Sequence, residues 1–240
     1  MRGFFSRPLR DLLDALSRVQ PDRPLPGLAA AFLGLVVGWW VYVPLHELLH
    51  VGGCLATGGG VDRLEIGAEY GAALLQKVFP YVAVGSDYAG QLTGFDTHGN
   101  DLIYLATVYA PYLLTVVIGV PLILRLVRSG SRSYGSSALL GVAVPVAYAP
   151  FPSLIGDFYE LGSIVVSRIA MIAAPGTDAL RWRSDDLIKL SRELFFSGTF
   201  RPMDLVGVFL GLLLGIFAAF ATYALGVYAA GGIGPPDDGR

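Results

Sequence analysis

Charge and cysteine are what this sequence has least of. Only 15% of its 240 residues are Asp, Glu, Lys or Arg, against about a quarter in an ordinary soluble domain. A single cysteine, Cys54, excludes an intrachain disulfide and leaves the redox compartment open. There is no basic tract and no interleaving of basic and aromatic residues, so nucleic acid is not an expected partner. The net charge of −2 points to no partner either. Histidine is also scarce, at three residues, which makes the placement of each informative. In place of charge stand apolar residues, 54% of the chain, with a mean hydropathy of +0.59. Several apolar runs reach the roughly 20 residues that a bilayer crossing needs, so a polytopic membrane protein in the lipid bilayer is expected.

The expected fold is all-α, with about five transmembrane helices and a small membrane-associated β-hairpin or re-entrant segment after the first. Residues 1–27 read as an N-terminal interfacial segment. Leu9, Leu12, Leu13, Leu16 and Val19 follow helical spacing with charges between them, and prolines 21, 24 and 26 end the helix. A cleaved signal peptide is not expected, because cleavage after the first apolar core would strand the histidines described below. Residues 28–230 form the transmembrane domain, and 231–240 a disordered tail. The spans fall at 28–54, 102–127, 137–152, 157–174 and 204–230. The apolar run 137–174 is too long for one ordinary crossing and is divided at 151–156. Gly58 to Gly60 read as a turn, Arg63-Leu64-Glu65-Ile66 as a short strand, 72–84 as an interfacial or re-entrant piece, and 184–196 as an amphipathic helix. Thirteen Lys and Arg then fall on one side of the membrane and three on the other. The positive-inside rule puts the N-terminus in the cytoplasm of a cell-membrane protein.

Chemistry concentrates at the end of the first span, in Pro-Leu-His-Glu-Leu-Leu-His, residues 44–50. His46 and His50 are one helical turn apart on one face, so both imidazoles can reach a single zinc ion. Glu47, one step round the helix, is placed to take a proton from water on that metal. Zinc with an open position makes bound water ionise near neutrality, which supplies a nucleophile for peptide hydrolysis. Pro44 withdraws an N–H from the carbonyl of Trp40, so a kink is expected just before the first histidine. A buried, hydrogen-bonded histidine pair, haem ligation, or a route for metal ions or protons are the other readings of two intramembrane histidines. Cys54 follows His50 by four residues, but Gly52 and Gly53 weaken the helix that would bring it to the same face. Asp96, His98 and Asp101 lie in a polar segment that reads as a solvated loop.

Zinc wants a third protein ligand. Asp157 and Glu160 share a helical face in another apolar region, where unpaired charge is costly. Asp157 is the first choice and Glu160 the alternative; both acids solvated at a helix start is the bland reading. Asp157 opens an inward-running span while the histidines close an outward-running one, so their depths agree.

An intramembrane His-Glu-Leu-Leu-His followed more than a hundred residues later by Asp157 resembles the site-2 protease family of intramembrane zinc metalloproteases, over roughly residues 28–174. The resemblance implies a zinc metalloendopeptidase in which His46, His50 and Asp157 hold Zn2+ and Glu47 activates water. It implies a membrane-protein substrate cleaved in or near its transmembrane segment. The family carries a membrane-associated β-hairpin after the first motif, and Gly58–Gly67 looks similar. Its edge could hold an unwound substrate by strand addition. Where the family's second motif reads Leu-Asp-Gly, this chain has Ile155-Gly156-Asp157-Phe158. The charge count also puts the site nearer the outer face, whereas family members are described with zinc nearer the cytoplasm.

Overall fold

The computed structural model describes residues 2–196, 198 and 200–231. It is mostly helical, with one small sheet. Helix α1 spans Arg2–Val19. Its apolar face does not simply lie on a surface, because Ala15 and Val19 are buried in a core shared with Val120, Ile123, Leu140 and Tyr223. The prolines after it divide their labour. Pro24 and Pro26 do not terminate α1 but open α2, Pro24–Ala56, where a missing N–H costs nothing. Helix α2 runs unbroken through Pro44 to beyond His50.

The expected β-hairpin is a three-stranded sheet. Strand β1 (Gly60–Ile66) is central, with β2 (Val82–Val84) parallel on one side and β3 (Gly90–Asp96) antiparallel on the other. A parallel neighbour requires a crossover. That crossover is the piece read as interfacial, which contains the one-turn helix α3 (Ala72–Leu75). Leu64, Ile66, Ala72 and Val82 pack with Val51 of α2, seating the sheet against the first span beside the histidines.

The second span is interrupted. Helix α4 (Asp101–Tyr109) passes into a 3₁₀ turn at Ala110–Tyr112, a π turn at Thr115–Gly119, and then α5 (Val120–Ser129). Helix α6 (Tyr134–Tyr148) ends in a turn and a 3₁₀ segment, Pro152–Ile155, before α7 (Asp157–Ala173). The break in the long apolar run therefore falls where Pro150 and Pro152 withdraw N–H groups. Helix α8 (Leu187–Phe196) starts later than its amphipathic pattern suggested. Asp186 Oδ1 accepts the backbone N–H groups of Ile188 and Lys189, each at 2.9 Å, and so fixes its start. Helix α9 (Pro202–Ala229) closes the bundle. Residues 232–240 of the expected tail lie outside the described residues.

Among the described residues four helical stretches are long and apolar enough to cross a membrane: Pro24–Ala56, Asp101–Ser129, Tyr134–Ile155 and Pro202–Ala229. Helix α7, at 17 residues, is shorter than these. Glycine sets how closely they pack. Helix α2 lies along α6, and α7 along α9. A Cβ on Gly141 would sit 1.9 Å from the carbonyl oxygen of Ala31, and one on Gly162 would sit 2.0 Å from that of Gly211. No side chain fits at either contact.

Gly141→Ala should therefore force α2 and α6 apart and cost about 1–3 kcal/mol, the usual range for overpacking. Gly52→Ala, on α2 with nothing within 4 Å of the new methyl, should be neutral or stabilising by up to about 1 kcal/mol. Thermal unfolding of the two variants in detergent, read by circular dichroism, separates them.

Candidate metal centre

Helix α2 sets Glu47 and His50 into the bundle together with Tyr42, Val43, Val51 and Cys54, all buried, while Leu45 stays exposed. Asp157 is the first residue of α7 and meets them there. His46 Nε2 lies 3.1 Å from His50 Nε2 and 3.2 Å from Asp157 Oδ2, and His50 Nε2 lies 3.5 Å from that same oxygen. These three edges decide what the cluster can hold. Tetrahedral zinc with bonds of about 2.0–2.2 Å needs its donors about 3.3–3.6 Å apart. The 3.5 Å edge matches that spacing, and the other two, at 3.1 and 3.2 Å, are slightly shorter. Among the described residues, His46, Glu47 and His50 also form a group whose ligating atoms all lie within 4.8 Å of one another.

Each donor is fixed from behind. Tyr42, one turn before His46, places its hydroxyl 2.9 Å from His46 Nδ1. His50 Nδ1 donates to the carbonyl of Thr107 at 2.9 Å. The hydroxyl of Tyr112 donates to Asp157 Oδ2. Such partners orient a metal-binding ring and leave its other nitrogen free for the ion. Glu47 and His50 are buried, at 9% and 7% exposure. Glu47 is overlaid by β3, since a Cβ on Gly90 would come within 2.4 Å of Glu47 Cγ. Only glycine lets the strand pass so close.

A cavity of about 420 Å³ opens onto this cluster. Gly90, Gln91, Leu92 and Phe95 of β3 form one wall, and Pro152, Ser153, Ile155, Gly156 and Asp157 another. No lysine or arginine lines it, while Glu47, Asp157, Glu160, Asp185 and Asp186 do, so its field favours a cation. At the mouth, Tyr88 donates to Asp186 Oδ2 at 2.7 Å and Gln91 to Asp185 Oδ2 at 2.6 Å. These bonds tie the sheet to the loop before α8. The backbone N–H of Lys189, followed by the Tyr88 hydroxyl, holds the Asp186 carboxyl below the usual carboxylate range.

The other candidates go elsewhere. Glu160 faces the cavity but accepts a hydrogen bond from Tyr104, and it is not among the three converging donors. Cys54 is buried with its thiol 3.5 Å from the Gly60 carbonyl. His98 pairs with Asp96 at 2.8 Å, whereas Asp101 is taken by Arg183 and Arg168, each at 2.7 Å. That loop therefore makes no cluster. The strand beside the site is β3, not the Gly58–Gly67 segment, which supplies the central strand instead. Tyr42 was legible by its spacing from His46. Nothing local marked Gly90, Thr107 or Tyr112, which are brought in by other elements.

Fold and site together define a membrane protein with a candidate His/Glu metal-binding group. The chain matches no known protein family, no curated protein and no solved structure.

Metal analysis of the purified protein should find about one zinc per chain. Asp157→Ala and His50→Ala should each weaken binding by more than the 10–100-fold typical of losing a supporting partner. Glu160→Gln should leave it unchanged. Chelator-competition titration in detergent ranks the three.

Proposed function

We propose that this protein is an intramembrane zinc metalloendopeptidase of the site-2 protease kind, acting on a transmembrane or membrane-proximal segment of another protein. The observation that carries this reading is the triangle of His46, His50 and Asp157 with the carboxylate of Glu47 beside it, all lining one cavity. Zinc held by those three donors would keep a fourth position for water and make that water acidic near neutrality. Glu47 would take the proton and pass it to the departing amine. Its burial beneath β3 keeps it on the histidine side of the cavity.

A transmembrane helix must be unwound before its amide can be attacked. Strand β3 suits that task. It pairs with β1 on one edge only, and its residues line the cavity, so an extended segment can add to the free edge. Helix α7 completes a five-span topology in this reading, at about 25 Å long from its 1.5 Å rise per residue. The excess of Lys and Arg then places the N-terminus in the cytoplasm of a cell-membrane protein.

Haem ligation is disfavoured by the same triangle. Two axial imidazoles face each other across the macrocycle, whereas His46 and His50 lie on one helix with nitrogens 3.1 Å apart. A carrier of metal ions or protons, or a pseudoprotease that only binds, is distinguished by Glu47.

In proteoliposomes containing a mixture of single-span peptides, the wild type should generate new peptide termini detectable by mass spectrometry. Glu47→Gln should slow their appearance by about 10²–10⁴-fold, the usual contribution of a general base, with zinc retained. Equal cleavage by both proteins ends the proposal. So does zinc transport into the vesicles that is indifferent to Glu47→Gln.

A further inference from the structure

The second span turns irregular where it passes the site, in the 3₁₀ turn Ala110–Tyr112 that contains Pro111. In an α-helix the carbonyl of Thr107 would accept the N–H of residue 111. Proline has none. A backbone carbonyl stripped of its partner inside an apolar bundle must find another donor. The donor at Thr107 is His50 Nδ1, 2.9 Å away. The hydroxyl of Thr107 does not take part, because it donates to the carbonyl of Ile103 at 2.8 Å.

A carbonyl only accepts. His50 must therefore carry a proton on Nδ1, which leaves Nε2, the nitrogen that faces His46 and Asp157, as the one able to ligate. We propose that Pro111 is a positioning residue for the metal centre: by withholding its N–H, it reserves the Thr107 carbonyl for His50 and so selects the ligating tautomer. The same device occurs a second time in the fold. Pro150 withholds its N–H from the carbonyl of Val146, and that carbonyl accepts the hydroxyl of Thr115 at 2.7 Å. In both places a proline frees an acceptor on one helix for a side chain of another. The consequence for metal rests on the zinc reading; the consequence for the His50 tautomer does not.

The test uses the full chain in detergent with two measurements, zinc affinity by chelator competition and the ¹⁵N spectrum of the metal-free histidine rings. Wild type should show His50 protonated at Nδ1. Pro111→Ala restores an N–H that competes for the Thr107 carbonyl. Zinc should then bind 10–100-fold more weakly, the loss typical of a supporting partner, and the His50 Nδ1–H signal should shift toward exchange between tautomers. Lactic acid at position 111, which has the alanine side chain but an ester in place of the amide N–H, should restore both readings. Pro121→Ala, on the same span, should change neither. The inference is overturned if the metal-free wild type carries the His50 proton on Nε2, if Pro111→Ala matches wild type, or if lactic acid behaves as alanine does. A wild type that binds no zinc would defeat the metal reading, while the ring spectrum would still decide the role of Pro111.

Discussion

Three electron-pair donors from two helices converge on one point inside an apolar bundle, and the rest of the structure is arranged around meeting that cost. A carboxylate buried without a partner is expensive where water is scarce. Asp157 is placed against two imidazoles and a tyrosine hydroxyl instead. His50 commits its Nδ1 proton to the Thr107 carbonyl. Its remaining nitrogen faces His46 and Asp157.

Holding that point fixed requires backbones to come close and helices to break in chosen places. Glycines let α2 meet α6 and α7 meet α9 with main chains in contact. Prolines supply the opposite operation. They free carbonyl groups at turns in the second and third spans, where side chains from neighbouring helices claim them. The small sheet adds the last wall. It is seated on α2 through Val51 and lays Gly90 across Glu47, so the catalytic candidate is enclosed on one side and open to the cavity on the other.

Much of this was legible in the chain itself. Four spans, the break after α6 and the facing of His46 and His50 follow from hydropathy, proline and the 3.6-residue period. Those are local properties that survive any packing. Asp157 was preferred to Glu160 from the chain, but the two share one helical turn and one depth, so only their contacts separate them. The sheet was harder. An alternating strand is visible in residues 63–66, but whether its neighbour is the next segment or the one after depends on a crossover that no periodicity encodes. The expected hairpin became a central strand for that reason, and the strand beside the site became β3.

The sequence by itself determined which residues could bind a metal and which stretches could enter lipid, because both depend on side-chain chemistry and spacing within a single helix. Only the tertiary structure decided that Asp157 joins the histidines while Glu160 turns to Tyr104, that Gly90 must be bare above Glu47, and that Thr107 serves His50. Those are contacts between segments far apart in the chain. Their existence follows from how closely helices and strand approach one another, which is a property of the assembled backbones rather than of any one of them.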